Sequence, residues 1–247
     1  SNTSSCSADW TTATTTSGSA SVTIENPGNN TFSITCTGAG GNRSASVTVE
    51  GYRNTSGIVV DGYISGAQVF IDEDNDWIVD SDESSTTSDN EGKFNIKYAN
   101  GNLVSIGGTD LDSQTLLDNF LLTHKLSGHT DFKTVTPVTS VAAFMETPSN
   151  INTSLGIDNS IDIKIFDPVA NKGDGGIYDY LYEKGNQLTV IAFALQNITN
   201  NLNNSTETTQ DFFQAIAEEI EKEFAETERK VNIEIETFVT KVFDNII

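Results

Sequence analysis

The densest run of chemistry in the chain lies at residues 72–83, Asp-Glu-Asp-Asn-Asp-Trp-Ile-Val-Asp-Ser-Asp-Glu. Counted from Asp72, side-chain oxygens fall at positions 1, 3, 5, 9 and 12: Asp72, Asp74, Asp76, Asp80 and Glu83. The carbonyl of Ile78 stands at position 7. This is the ligand spacing of a calcium loop, in which a hard cation gathers six to eight oxygens at about 2.4 Å. Carboxylates packed so closely repel one another unless a cation sits among them. Position 6 of such a loop calls for glycine at a sharp turn, and here it is Trp77. That residue either tolerates a strained backbone or marks a different loop shape. An acidic, solvated turn without an ion is the plain alternative.

Other candidate chemistry is sparse. The two cysteines, Cys6 and Cys36, flank strand-like runs and read as a disulfide in an oxidising compartment; two buried free thiols are the alternative. His124 and His129 lie in a polar stretch and read as surface or turn residues rather than ligands, since a zinc site wants further nitrogen or sulfur donors nearby. No P-loop, dinucleotide fingerprint or nucleophile elbow occurs. With 35 Asp+Glu against 13 Lys+Arg, the net charge of -22 repels a phosphate backbone, so nucleic acid is excluded as a natural partner. No apolar run is long enough to span a bilayer, so no membrane insertion is expected of these residues.

The elements that position the acids follow from periodicity. Hydrophobic residues make up 36% of the chain, enough for real cores in its 247 residues. Residues 21–24, 31–35 and 45–49 alternate with period two and read as strands, punctuated by turns at 26–30 and 38–42. Further strands are expected at 58–60, 67–71, 93–96, 103–106 and 120–126. Pro137 suits the first turn of a short helix reaching Met145, and Phe166-Asp167-Pro168-Val169 resembles another helix start. From about residue 175 the period changes. Leu188, Ile191, Leu195, Ile198 and Leu202 form one apolar stripe; Phe212, Ile216, Ile220 and Phe224 form a second; Val231, Ile235, Phe238, Val242 and Ile246 form a third. Thr208 with Asp211 reads as a capping box. The expected fold is mainly β with a C-terminal all-α part: β-sandwich modules followed by an amphipathic helical bundle. The expected domains are a partial β module at 1–57, a calcium-loop sandwich at 58–110, and a mixed and helical region at 111–247, separate or packed on the sandwich.

The flanks of the acidic loop carry a resemblance. Gly62 to Asp72 ends in Val69-Phe70-Ile71-Asp72, and Thr87-Ser88-Asp89-Asn90-Glu91-Gly92 starts the next strand. Together with the loop this is similar to the calcium-loop, prealbumin-like or collagen-adhesin B-type modules of bacterial surface adhesins. Residues 31–49 resemble the last two strands of bacterial immunoglobulin-like repeats. The resemblance implies an exported, cell-surface segment, calcium-stabilised, structural or adhesive, and without catalytic activity. Its implied partners are other modules or further copies of the same protein, or a host or matrix glycan or peptide. Trp77, Tyr178, Tyr180 and Tyr182 are the aromatics that a sugar- or peptide-binding surface would use. A self-assembling surface subunit is the third reading.

Overall fold

The computed structural model describes residues 3–24, 28–126, 132–203, 208–234 and 236–246. His129, Ile235 and the expected turn at Asn26 and Pro27 lie outside them. The chain forms two compact units, Ser1–Arg53 and Asn54–Ile247.

The first unit is one antiparallel sheet in the order β1-β2-β3, from β1 (Thr3–Ala8), β2 (Gly28–Gly38) and β3 (Gly41–Gly51). β2 and β3 pair along their whole length and turn through Ala39 and Gly40. Alternation sorts their side chains. Phe32 and Ile34 stand opposite Val47 and Ala45 on one face. On the other, Thr31 bonds Thr48 at 3.0 Å and Thr35 bonds Ser44 at 2.7 Å. Residues 21–24, expected as a strand, form none and pair with no strand among the described residues. Instead, Val22 joins Trp10, Phe32, Ile34 and Val47 around an open apolar groove. Cys6 faces Cys36 across β1 and β2, and the two are joined in a disulfide.

The second unit begins with β4 (Asn54–Val59), so the expected boundary at 57/58 falls inside a strand. β4 is the middle of a sheet ordered β13-β4-β8, with β8 (Lys93–Lys97) antiparallel and β13 (Phe132–Val135) parallel to it. Gly57 is required there. A Cβ would meet the Lys133 carbonyl at 2.2 Å and the Phe94 ring at 2.4 Å. A second sheet runs β12-β9-β6-β7, from β6 (Gln68–Asp72), β7 (Ser85–Thr87), β9 (Asn102–Ile106) and β12 (Leu121–Lys125). A small sheet joins β5 (Ile64–Ser65), β10 (Thr109–Asp110) and β11 (Thr115–Leu116).

Helices complete this unit: α1 (Pro137–Phe144), α2 (Ile151–Leu155), α3 (Ile177–Asn203), α4 (Thr209–Thr227) and α5 (Glu236–Asp244). Thr136 and Thr139 form a capping box that starts α1 with Pro137 in its first turn, and Thr208 with Asp211 does the same for α4. The stripes of α3 and α4 are buried at Leu188, Leu195, Phe212, Ile216 and Ile220, sharing one core with Val69, Ile71, Leu103 and Leu122 of the second sheet. Val231 is buried ahead of α5, whose own stripe is Phe238 and Val242. Residues 166–169 form no helix. Asp167 turns its carboxylate back to accept the N–H groups of Val169 and Ala170, which closes a turn there.

The first unit is too small for a large core, so its crosslink carries much of its stability. The disulfide closes a separation of 30 residues, which in the chain-entropy account is worth about 3–4 kcal/mol. Reduction is expected to unfold Ser1–Arg53 and leave the unfolding of Asn54–Ile247 in place. Limited proteolysis and calorimetry with and without reductant check this. Equal protection of both units in reductant would refute it.

Candidate functional site

The acidic loop hangs from the end of β6, a strand buried on both faces. Val69 and Ile71 point into the main core, and Phe70 packs with Val104 and Leu121 on the opposite side. Asp72 ends the strand and is wholly buried. Its carboxylate stays inside because it has backbone partners: Oδ1 accepts the N–H of Asn75 at 2.7 Å and Oδ2 that of Trp77 at 3.3 Å. Its neighbour in register is Asn102 of β9. Asn102 donates to Asn75 Oδ1 at 2.8 Å. Gly101 lies so close that a Cβ would meet the Asp72 carbonyl at 2.2 Å.

The chain then coils through two left-handed residues, Asn75 at φ 66° and Trp77 at φ 64°. The missing loop glycine is thus answered by strain, at about 1–2 kcal/mol for an L-residue. Packing offsets it. Trp77 lies against the Phe70 cluster, and its ring centroid is 5.2 Å from that of Phe144 at the end of α1. The loop keeps the backbone turn that glycine would allow and gains an anchor that glycine cannot supply.

This coil gathers three carboxylates. One oxygen from each of Asp72, Asp74 and Asp76 lies within 4.8 Å of the others, a set able to hold a metal ion. Asp74 and Asp76 are exposed and accept the N–H groups of Asp76 and Ile78. Glu83 closes the loop, its Oε1 accepting the N–H of Glu73 at 2.7 Å and Oε2 that of Asp80 at 3.1 Å. Asp80 and Glu83 lie outside the close trio, and the side chain of Ile78 is exposed. Burial raises the Asp72 carboxyl above its ordinary range, with repulsion from Glu83 adding and the backbone N–H groups opposing. Asp80 is raised by desolvation and by the charges of Asp76, Asp74, Asp82 and Glu83. Burial leads in both, and the part that neighbouring carboxylates add, Glu83 at Asp72 and four acids at Asp80, is what a cation would relieve.

The aromatics expected on a binding surface are half-buried and engaged. Tyr180 donates to the Leu155 carbonyl at 2.7 Å, Tyr182 donates to Asp112 at 2.8 Å, and Tyr178 packs on Phe166.

His124, expected at the surface, is 2% exposed. It sits on β12 and its Nδ1 bonds the Thr134 carbonyl at 2.8 Å. Burial depresses its pKa to about 4, and the charges of Lys133 and Lys164 add to this. Asp61, which periodicity does not single out, is a second buried titratable group. It accepts a 2.9 Å bond from Thr189 of α3, and burial with repulsion from Asp110 raises its pKa to about 7.

These two groups pull stability in opposite directions over one pH range. Asp61 binds a proton in the fold that the unfolded chain has released, so its contribution falls as pH rises from about 4 to about 7. His124 stays neutral in the fold while the unfolded chain takes up a proton, so its contribution falls as pH drops from about 6.5 to about 4. The slopes nearly cancel. Asp61→Asn is therefore expected to uncover a gain of about 3 kcal/mol between pH values of about 4 and 6.5, read by urea unfolding. The loop acids contribute equally to both proteins and drop out of the difference. Parallel curves for the wild type and Asp61→Asn would contradict the assignment.

No protein-family model matches the chain, and comparison with curated proteins and with solved structures finds no match.

Proposed function

We propose that the chain is a calcium-stabilised, non-enzymatic structural and adhesive segment of an exported surface protein. The observation that carries this reading is the Asp72–Asp74–Asp76 trio, held on a rigid strand end by a loop with calcium-loop spacing. An all-oxygen donor set favours a hard cation, and a pliable loop of many carboxylates suits calcium better than the small, strictly octahedral magnesium. Asp80, Glu83 and the Ile78 carbonyl complete the shell in this reading. The sheets β13-β4-β8 and β12-β9-β6-β7 contribute side chains to one apolar core together with the helices; two sheets about a common core support the reading as a β-sandwich module of the calcium-loop adhesin kind. The disulfide fits an oxidising, extracellular setting. No helix among the described residues is long and apolar enough to cross a membrane.

A second reading, self-assembly, draws on the first unit. Val47 is 58% exposed and Val49 40%, both on the open apolar face of its sheet. Sedimentation that finds a monomer at high concentration, with and without calcium, would remove that reading.

Calcium is expected to raise the melting temperature of Asn54–Ile247. At a hundred times its Kd the gain is about 2.7 kcal/mol, because only the folded loop binds it. A chelator should reverse the gain, and Asp76→Asn should abolish it without unfolding the apo protein, since Asp76 is exposed. Trp77 provides a fluorescence signal, read in a Trp10→Phe background. An unchanged melting curve and a flat calcium titration would end the reading.

A further inference from the structure

The two edges of the first unit's sheet are built differently. β1 forms one edge with six residues, and a register shift between Thr3 and Ser5 breaks its ladder near the start. A short strand with an irregular ladder is a common guard against edge-to-edge pairing. β3 forms the other edge. It runs 11 residues in unbroken register with β2, and no strand among the described residues pairs with its outer side. Residues Asn42 to Val49 are exposed throughout. Neither proline nor lysine occurs in β3, and its charged residues, Arg43 and Glu50, stand near its two ends. The middle of the strand therefore lacks the guards that blunt an edge. Backbone groups along such an edge are a template that an added strand can complete.

Charge selects the partner. Residues 1–53 hold three acids, Asp9, Glu25 and Glu50, and two bases, Arg43 and Arg53. They are nearly neutral in a chain of net charge -22, so repulsion between copies comes almost wholly from residues 54–247. Association of two copies is least opposed through the first unit. The strand also complements itself. Antiparallel pairing of two β3 strands brings the Arg43 end of each beside the Glu50 end of the other, whereas parallel pairing would align like charges. About a two-fold axis, Ala45, Val47 and Val49 of both copies fall on one face of the joined sheet. That face carries the apolar groove of Trp10, Val22, Phe32, Ile34 and Val47.

We propose that β3 is a homodimer edge, at which two copies of the chain pair their β3 strands antiparallel and join their three-stranded sheets into one. The guarded β1 edges then lie outermost, so the assembly closes at two copies and does not grow into a fibre. This inference rests on the self-assembly reading and is independent of calcium.

The test is sedimentation of the full chain from about 1 to about 300 µM in about 0.15 M salt. The wild type should pass from monomer to dimer with no larger species. Ser46→Lys, an exposed position in the middle of β3, sets two like charges close to the axis and should weaken the dimer at least about tenfold. Ser5→Lys adds the same charge at the exposed β1 edge and should leave the dimer unchanged. Unaltered circular dichroism shows that both variants keep the fold. Amides of residues 42–49 should gain protection from hydrogen exchange in the dimer and lose it on dilution. A wild type that stays monomeric at the highest concentration removes the proposal and the self-assembly reading together. A dimer that survives Ser46→Lys, that both variants weaken equally, or that leaves residues 42–49 without added protection overturns the β3 edge and assigns self-assembly to another surface. Growth beyond two copies overturns the closed pair.

Discussion

The buried carboxylate of Asp72 is the constraint from which the second unit's chemistry follows. A charged group at the end of a strand packed on both faces is costly unless its oxygens are bonded. The Asn75 and Trp77 N–H groups bond them, and that requirement coils the chain over five residues. Coiling brings Asp74 and Asp76 to the same side as Asp72. Charge repulsion alone would push such groups apart, yet the strand end cannot move and Glu83 ties the far side of the loop to Glu73. The trio is thus enforced by packing behind it.

This explains why the loop was legible in the sequence and its centre was not. The spacing of the acids is a local property, so it can be read along the chain. The residue at position 6 is decided by what lies across the sheet. Glycine relieves a left-handed φ, but a tryptophan there reaches Phe144 and the Phe70 cluster, contacts that no local pattern announces. The helical stripes and the Thr208–Asp211 capping box were equally local and equally legible; at α1 the sequence pointed to Pro137, and the Thr136–Thr139 box came only with the structure. Residues 21–24 show the converse. Their alternation is that of a strand, but alternation specifies a face and not a partner, and with no strand beside them they lie along an apolar groove instead.

His124 and Asp61 were illegible for a related reason. A histidine between Thr123 and Lys125 reads as polar, and only β12's place between β9 and the α1 packing buries it. Asp61 follows three apolar residues and precedes a glycine, an ordinary turn signature. Its partner Thr189 is 128 residues away. Polar groups buried by tertiary contact leave little sequence trace, because the contact is made by another element.

The distribution of basic residues completes the picture. In a chain with 13 Lys+Arg against 35 acids, each cation has many anions to choose from. Lys93 and Lys222 pair locally, with Glu91 and Glu219, and three lysines act as ties: Lys184 to Glu234, Lys241 to the buried Glu219 and to Glu223, and Lys172 to Asp112. Each tie joins segments distant in sequence, so positive charge is used where chain must be held to chain. Lys133 departs from that pattern: it is buried in β13, within electrostatic reach of both Lys164 and Asp162. Burial is the main cause that lowers its pKa, the charge of Lys164 adds to this, and the charge of Asp162 opposes it. A buried amine is costly to charge, and the carboxylate of Asp162 is the group of this chain that offsets that cost, so here too positive charge is placed by what another segment brings to it.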